Sequence, residues 1–212
     1  EHLRWELYQI KLAAPALAVN NMQENNAIWM EYKEKADLSY HPERAWLIGR
    51  GYTIPRDPQS FMSLSIKTHV GDSYRHPFVV FHELAHGYDY YFIGKGRAYG
   101  SKESQANYER MMKEGKYEKV KIWDGRIGSH YGRTNRMEYW AESTEAYLAV
   151  NDIYPFVRAE LREHDPNMAR FIERYWGVDP QQVVQLEKDL AAYQEQVRQG
   201  ADRPGRASGS GA

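Results

Sequence analysis

The chain has 212 residues, of which 42% are hydrophobic, and its 28 Lys and Arg against 29 Asp and Glu give a formal net charge of -1. This length and apolar content suffice to bury a core, which excludes disorder of the whole chain. The balanced charge excludes binding of nucleic acid or an anionic membrane by charge alone, and no stretch approaches the roughly 18 apolar residues of a membrane span. Because there is no cysteine, any metal must be bound by His, Asp or Glu.

Residues 1–75 are predicted to be the sheet-rich part of the fold. A helix is expected from Pro15 to Glu24. The chain starts at Glu1 without a Met or an apolar leader, so we expect a mature or trimmed form. Short apolar runs separated by Asn, Pro and Gly indicate strands near 27–32, 45–48 and 61–66.

Residues 76–198 are predicted to be mostly helical. The run from Pro77 to Ile93 opens with Pro, ends before a Gly and is apolar on nearly every side, so we expect a central buried helix. A strand or hairpin is expected within 116–123. Further helices are expected at 101–114, 135–150, 155–164, 166–176 and 180–198. The Gly- and Ser-rich residues 199–212 indicate a disordered tail or linker scar, which leaves a single domain over residues 1–198.

The predicted buried helix contains the motif His82-Glu83-Leu84-Ala85-His86. At 100° per residue, His82 and His86 point to one face a turn apart, so both imidazoles can reach one ion, while Glu83 lies beside them and can hold a water. This arrangement is typical of zinc hydrolases. Burying two His and one Glu in so apolar a helix costs free energy unless another group compensates them. This cost disfavours the alternative, in which the three side chains lie at a polar edge of the helix and satisfy one another. Phe92 stands where a metzincin needs a third His, which excludes that class.

A catalytic zinc commonly has three protein ligands, so a third must come from elsewhere in the chain. Glu138, Glu142 and Glu145 follow one another at i, i+4 and i+7 beside an apolar helix face. Either Glu138 is the ligand and Glu142 accepts the ring N–H of a ligand His, or Glu142 is the ligand with Glu145 behind it. A solvated stripe of charges is the third alternative. Asp89 would crowd the ion as a ligand, so we expect it to support the ligands from outside.

The segment Tyr131-Gly-Arg-Thr-Asn135, followed by Glu138-Tyr-Trp-Ala-Glu142, resembles the segment that closes the zinc site in the peptidase domain of anthrax lethal factor and its relatives, which include the secreted Pro-Pro endopeptidases. The resemblance covers residues 82 to about 147. It implies an α+β, zincin-like fold with a small N-terminal mixed sheet, a central helix that carries the motif, and a mostly helical C-terminal part. It also implies that Glu138 is the zinc ligand, that Tyr131 assists catalysis, and that the protein is secreted or extracellular.

These features together predict a zinc-dependent metalloendopeptidase that binds one Zn²⁺ ion and acts on a peptide or protein. We expect Glu83 to be the general base and Tyr131 to donate its O–H to the oxyanion of the tetrahedral intermediate. An extended substrate is expected to pair with an edge strand formed by Phe61 to Thr68. We expect a monomer with no nucleic-acid partner. The alternatives are an amidase for a non-peptide substrate and a catalytically silent zincin-like binding or toxin-type domain, which the intact Glu83 and Tyr131 disfavour.

Most of the other histidines are assigned no role in the site. His130 is expected to face solvent rather than to tune the neighbouring Tyr131. Surface or helix-cap positions near turns are expected for His41, His69, His76 and His164.

Overall fold

A computed structural model describes two compact units, Glu1–Gly177 and Val178–Ala212. The described residues of the first unit are 1–31, 39–41, 48–49, 60–65 and 75–177, with the backbone alone at 31 and 60–65. Those of the second unit are 178–179, 181–182, 184–185, 188–189, 191–192 and 195, and from 181 onward they are helical. The expected tail, 199–212, lies outside the described residues.

Two helices open the chain, α1 (His2–Ala13) and α2 (Ala16–Asn25). Helix α2 confirms the expected helix, whereas α1 was missed in a part of the chain expected to be mainly sheet. Residues 2–13 contain neither Gly nor Pro and are rich in good helix formers. The apolar pattern of α1 is misleading because Glu6 and Ile10 are buried while several apolar side chains of the helix are exposed. The exposed ones include Trp5, Tyr8 and Leu12.

In the described part of the chain, three short strands form a small mixed sheet, namely β1 (Asn26–Glu31), β2 (Ser39–His41) and β3 (Ser60–Ser65). Their order is β1-β3-β2, with β1 parallel and β2 antiparallel to β3. The prediction of an edge strand from Phe61 to Thr68 is therefore wrong in its described part, since β3 is central, and residues 66–68 lie outside that part. Strand β2 has only three residues and no periodicity to detect. Of the run expected at 45–48, only Ile48 is described, and it is helical.

Helix α3 (Val79–Tyr88) carries the His-Glu motif and continues as a π-helical turn, Asp89–Ile93. The helix begins two residues later than predicted because Pro77 and Phe78 form a turn before it. Every residue from Val80 to Tyr88 is buried. The prediction of a buried helix is thus confirmed.

The rest of the first unit is mostly helical, as predicted. Helix α6 begins later than expected because the Glu160 carboxylate accepts the N–H of Phe156 at 2.8 Å and so places the cap beyond Pro155. The α+β class is confirmed, and no helix in the described part of the chain is long and apolar enough to cross a membrane. The remaining elements are α4 (Lys102–Glu114), the hairpin of β4 (Val120–Lys121) and β5 (Ile127–Gly128), α5 (Arg136–Leu148), α6 (Arg158–His164) and α7 (Pro166–Trp176).

An aromatic cluster packs α3 against α5 and α7. Trp176 of α7 stacks on Tyr88, with ring centroids 4.2 Å apart, and on Trp140, with ring centroids 5.9 Å apart. Phe81 meets Trp176 edge-on at 5.6 Å. All four side chains are fully buried. The cluster therefore fixes the relative position of α3 and α5, the two helices that carry the candidate zinc ligands.

Candidate metal centre

Helices α3 and α5 are joined by a buried hydrogen bond. Ala85 and Ala141 are completely buried, and the indole Nε1 of Trp140 donates a hydrogen bond to the carbonyl oxygen of Ala85 at 2.9 Å. This bond joins the turn between His82 and His86 to the middle of α5. Glu138 on α5 consequently reaches both imidazoles, whereas Glu142 and Glu145 lie against His82.

Three side chains converge between these helices. Nε2 of His82 lies 2.9 Å and Nε2 of His86 lies 3.4 Å from Oε2 of Glu138. Oδ1 of Asn135 caps α5 and accepts the N–H of Glu138 at 3.0 Å, which places this carboxylate in the first turn, where the helix dipole favours negative charge. Burial raises the pKa of Glu138, but the hydrogen bonds to His82 and His86 outweigh burial and hold the pKa well below its usual value.

The three residues fit a zinc ion. Ligands at about 2.0–2.2 Å in a tetrahedron lie roughly 3.3–3.6 Å from one another, and the ligand atoms of His82, His86 and Glu138 all lie within 4.8 Å of one another. Two imidazoles and one carboxylate leave the fourth position open, as in catalytic zinc sites. Among the residues that the structure describes, the ion pairs of Glu138 are with these histidines alone, so no Lys or Arg neutralises it.

The far side of the His82 ring contacts Glu145 more closely than Glu142. Nδ1 lies 2.7 Å from Oε1 of Glu145 and 3.6 Å from Oε1 of Glu142. The ring hydrogen bond expected for Glu142 is thus made by Glu145 instead. On a helix, residue i+7 lies about 20° from residue i, whereas residue i+4 lies about 40° away, so Glu145 is the better aligned with Glu138.

The charges around His82 favour one ring orientation. Burial lowers the pKa of His82, but the contacts with Glu138 and Glu145 outweigh burial and raise the pKa well above its usual value. Burial raises the pKa of both Glu142 and Glu145, and for Glu142 the neighbouring Glu145 adds to the rise. With the Nδ1 proton directed at Glu145, Nε2 is the nitrogen left to bind a metal.

Glu142 belongs to a neighbouring set of buried contacts. Nδ2 of Asn151 donates to its Oε2 at 3.1 Å, and Nε2 of His130 lies 3.7 Å from the same oxygen. The prediction that His130 faces solvent is wrong, because its ring packs on Tyr117 and its Nδ1 accepts the N–H of Gly132 at 3.0 Å. Burial lowers the pKa of His130 to about 3. The ring is therefore neutral, with its proton on the nitrogen that faces Glu142.

Glu83 lies beside the three converging residues and is held by the sheet. Its Oε2 accepts a hydrogen bond from the main-chain N–H of Tyr40, in strand β2, at 2.6 Å. Burial raises the pKa of Glu83, although His86 and His82 oppose the rise. A raised pKa brings a carboxylate nearer to the range in which it can both accept and release a proton.

A cavity of about 530 Å³ opens over these residues. Tyr131 is presented at its wall by a 3-10 turn, with 49% of its surface exposed and its ring centroid 6.3 Å from that of His82. Burial and the charge of Glu138 raise the pKa of Tyr131, so its phenol keeps its proton. Other wall residues come from separate segments without a shared motif, so sequence reasoning missed them. They include Ser39, Tyr40, Tyr99 and Asp152.

Asp89 has a different environment from the one expected. It is 1% exposed, and from the described residues no hydrogen bond of normal geometry reaches either of its oxygens. Burial raises the pKa of Asp89 to about 7, while the Arg136 guanidinium and the N–H of Gly100 oppose the rise. Arg136 also donates to the carbonyl oxygen of Tyr99. Asp89 is therefore associated with the segment that carries Tyr99 rather than with the two histidines.

The four remaining histidines of the sequence prediction have varied surroundings. Nδ1 of His76 lies 3.1 Å from Oδ2 of Asp152, and both residues line the cavity. His41 is in strand β2, and His164 is half-buried between aromatic rings. His69 lies outside the described residues.

No protein-family model, curated protein or solved structure matches this chain. The functional conclusion therefore rests on the residues of the site and their geometry.

Proposed function

We propose that the protein is a zinc-dependent metalloendopeptidase with a zincin-like fold, in which His82, His86 and Glu138 bind one Zn²⁺ ion. The observation that carries the proposal is the convergence of two imidazoles and one carboxylate under a cavity, with Glu83 beside them. These are the residue types, the number of ligands and the open position that a catalytic zinc requires.

The residues of the chain have distinct roles in this reaction. Bound zinc supplies Lewis acidity, which lowers the pKa of a water molecule and polarises a carbonyl group. Glu83 accepts the proton of the attacking water and passes it to the leaving amine. Glu145 accepts a hydrogen bond from the Nδ1–H of His82 and so keeps Nε2 directed at the ligand position. Tyr131 donates its O–H to the developing oxyanion, a contribution typically worth about 3 kcal/mol.

An extended peptide is the substrate class that suits the cavity. Strand β2 is an edge of the described three-stranded sheet and lines the cavity through Ser39 and Tyr40. A peptide that adds to this edge places its backbone beside Glu83. Strand β2 thus replaces β3 as the proposed substrate-binding strand.

Substitution of Glu83 tests the proposal. Glu83→Gln is expected to keep one zinc per chain but to cleave a diverse peptide library at least about a hundredfold more slowly than wild type, because general acid–base catalysis typically contributes that much. The exposed Glu163 offers a matched control, and Glu163→Gln should cleave as wild type does.

Three results would contradict the proposal in different ways. Cleavage of non-peptide amides alone would indicate an amidase. Zinc-loaded wild-type protein that hydrolyses neither class would indicate a silent binding domain. Equal cleavage rates for wild type and Glu83→Gln would show that Glu83 is not the general base.

A further inference from the structure

Strand β2 carries a main-chain donor that the sheet does not use. Tyr40 lies opposite Met62 of β3 in antiparallel register. In an antiparallel pair, successive residues direct their N–H and C=O alternately toward and away from the neighbouring strand. Because the N–H of Tyr40 donates to Glu83, both polar main-chain groups of Tyr40 point away from β3. Those of Ser39 and His41, on either side, point toward it.

The bond between Tyr40 and Glu83 is of a strong kind. The donor and acceptor residues are 7% and 8% exposed, and the two atoms are 2.6 Å apart. A hydrogen bond to a carboxylate is shorter and stronger than one between neutral groups, and low exposure strengthens it further. The bond fixes one oxygen of Glu83 and thereby directs the other.

We propose that Tyr40 is a positioning residue for Glu83 and acts through its main-chain N–H rather than its ring. This proposal rests on the function proposed above, in which Glu83 is the general base. The same N–H cannot also bind substrate while it donates to Glu83. The proposed substrate-binding strand and the general base are thus linked directly by one hydrogen bond.

Amide hydrogen exchange tests the contact without any catalysis. In metal-free protein, the amide of Tyr40 is expected to be protected, and Glu83→Ala should speed its exchange at least about tenfold, since the bond to a charged acceptor is lost. The amides of Ser39 and His41, which face β3, are internal controls and should be unchanged. Equal exchange of the Tyr40 amide in wild type and Glu83→Ala would overturn the proposal.

A pair of substitutions tests the positioning role. Tyr40→Pro and Tyr40→Ala both lack the ring, but only Tyr40→Pro lacks the N–H. Proline is tolerated in an edge strand where the N–H points away from the sheet, and Ser39 before it is already extended. With equal zinc content and KM, kcat of Tyr40→Pro should be at least about tenfold below that of Tyr40→Ala.

The outcomes separate this proposal from the proposed function. Equal kcat values for the two Tyr40 variants would overturn the positioning role while leaving the peptidase intact. Absence of cleavage by wild type would overturn the function, whereas the exchange result would still report on the contact. If Tyr40→Pro does not fold, the exchange measurement decides.

Discussion

Asp165 and the glutamates of the candidate metal centre are carboxylates with little exposure to solvent, but they have very different neighbours. Asp165, which is 1% exposed, receives a hydrogen bond from Arg110 at 2.6 Å and another from the N–H of Met168 at 3.1 Å. The hydroxyls of Tyr117 and Tyr139 also donate to it. One charge is thus surrounded by a cation and three neutral donors, which is how a buried carboxylate is stabilised.

The metal centre has the opposite balance. Glu138, Glu142 and Glu145 surround His82, and in the portion of the chain described here their ion pairs are with histidines and not with Lys or Arg. A fold that only needed stability would gain from supplying cations or removing charges at such a place. The comparison teaches that the Asp165 cluster is explained by stability alone, whereas the surplus of carboxylates around His82 calls for a cation such as the proposed zinc ion.

Removing Asp165 should have the largest effect. Asp165→Ala leaves the Arg110 guanidinium with only its more exposed partner Glu114, removes the acceptor of two buried Tyr hydroxyls and deprives α7 of its N-terminal cap. The free energy of unfolding should therefore fall by about 3–5 kcal/mol in urea denaturation. Asp124→Ala removes an exposed pair with Arg126 and should cost far less. Similar losses in the two variants would show that the buried and fully hydrogen-bonded Asp165 stabilises the fold no more than the exposed Asp124 does.

Asp89 sharpens the comparison because it is buried without the donors that surround Asp165. Burial raises the pKa of Asp89 to about 7. Its contribution to the free energy of unfolding is therefore complete below the pKa of an unfolded Asp, near pH 4, and is lost as the pH rises from there toward 7. The loss is on the order of 4 kcal/mol. Between pH 4 and pH 8, the free energy of unfolding should therefore fall more for wild type than for Asp89→Asn. Parallel pH profiles would contradict the raised pKa of Asp89.

The smallest predicted effect separates the two glutamates behind His82. Glu145→Gln should weaken zinc binding about tenfold, as loss of a carboxylate that orients a ligand His typically does. Glu142→Gln should weaken it less, since its oxygen is 3.6 Å from Nδ1 rather than 2.7 Å. Chelator competition measures both affinities. A larger loss for Glu142→Gln would restore the assignment expected from the sequence.

Much of the site could be predicted because its residues lie on regular helices. The spacing of His82 and His86 places both on one helix face whatever the rest of the fold does. The cap at Asn135 predicts the start of a second helix, and the spacing of the carboxylates places Glu138 and Glu145 on the same face of that helix. Their meeting with the histidines also required the packing of Trp140 and Trp176, which no local pattern encodes.

The remaining parts depend on tertiary contacts. Tyr40 acts through its backbone from a three-residue strand, 43 positions from Glu83, so neither its side chain nor its spacing signals the role. His130 is buried because Tyr117 covers it, although its own neighbours in sequence indicated a surface turn. The offsets of about 20° and 40° agree with the preference for Glu145 over Glu142, but the preference also depends on the rotation of α5 about its axis, which the spacing does not give.

The central claim is that two histidines and Glu138 bind one zinc ion. Zinc titration of wild type and Glu138→Ala, with the ligands of the bound ion identified by X-ray absorption, tests it most directly. We predict that each wild-type chain binds one zinc through two imidazole nitrogens and a carboxylate oxygen. The affinity of Glu138→Ala for zinc should be at least about a hundredfold lower, which exceeds the loss expected for a residue that only orients a ligand. Zinc bound equally tightly by Glu138→Ala would contradict the account.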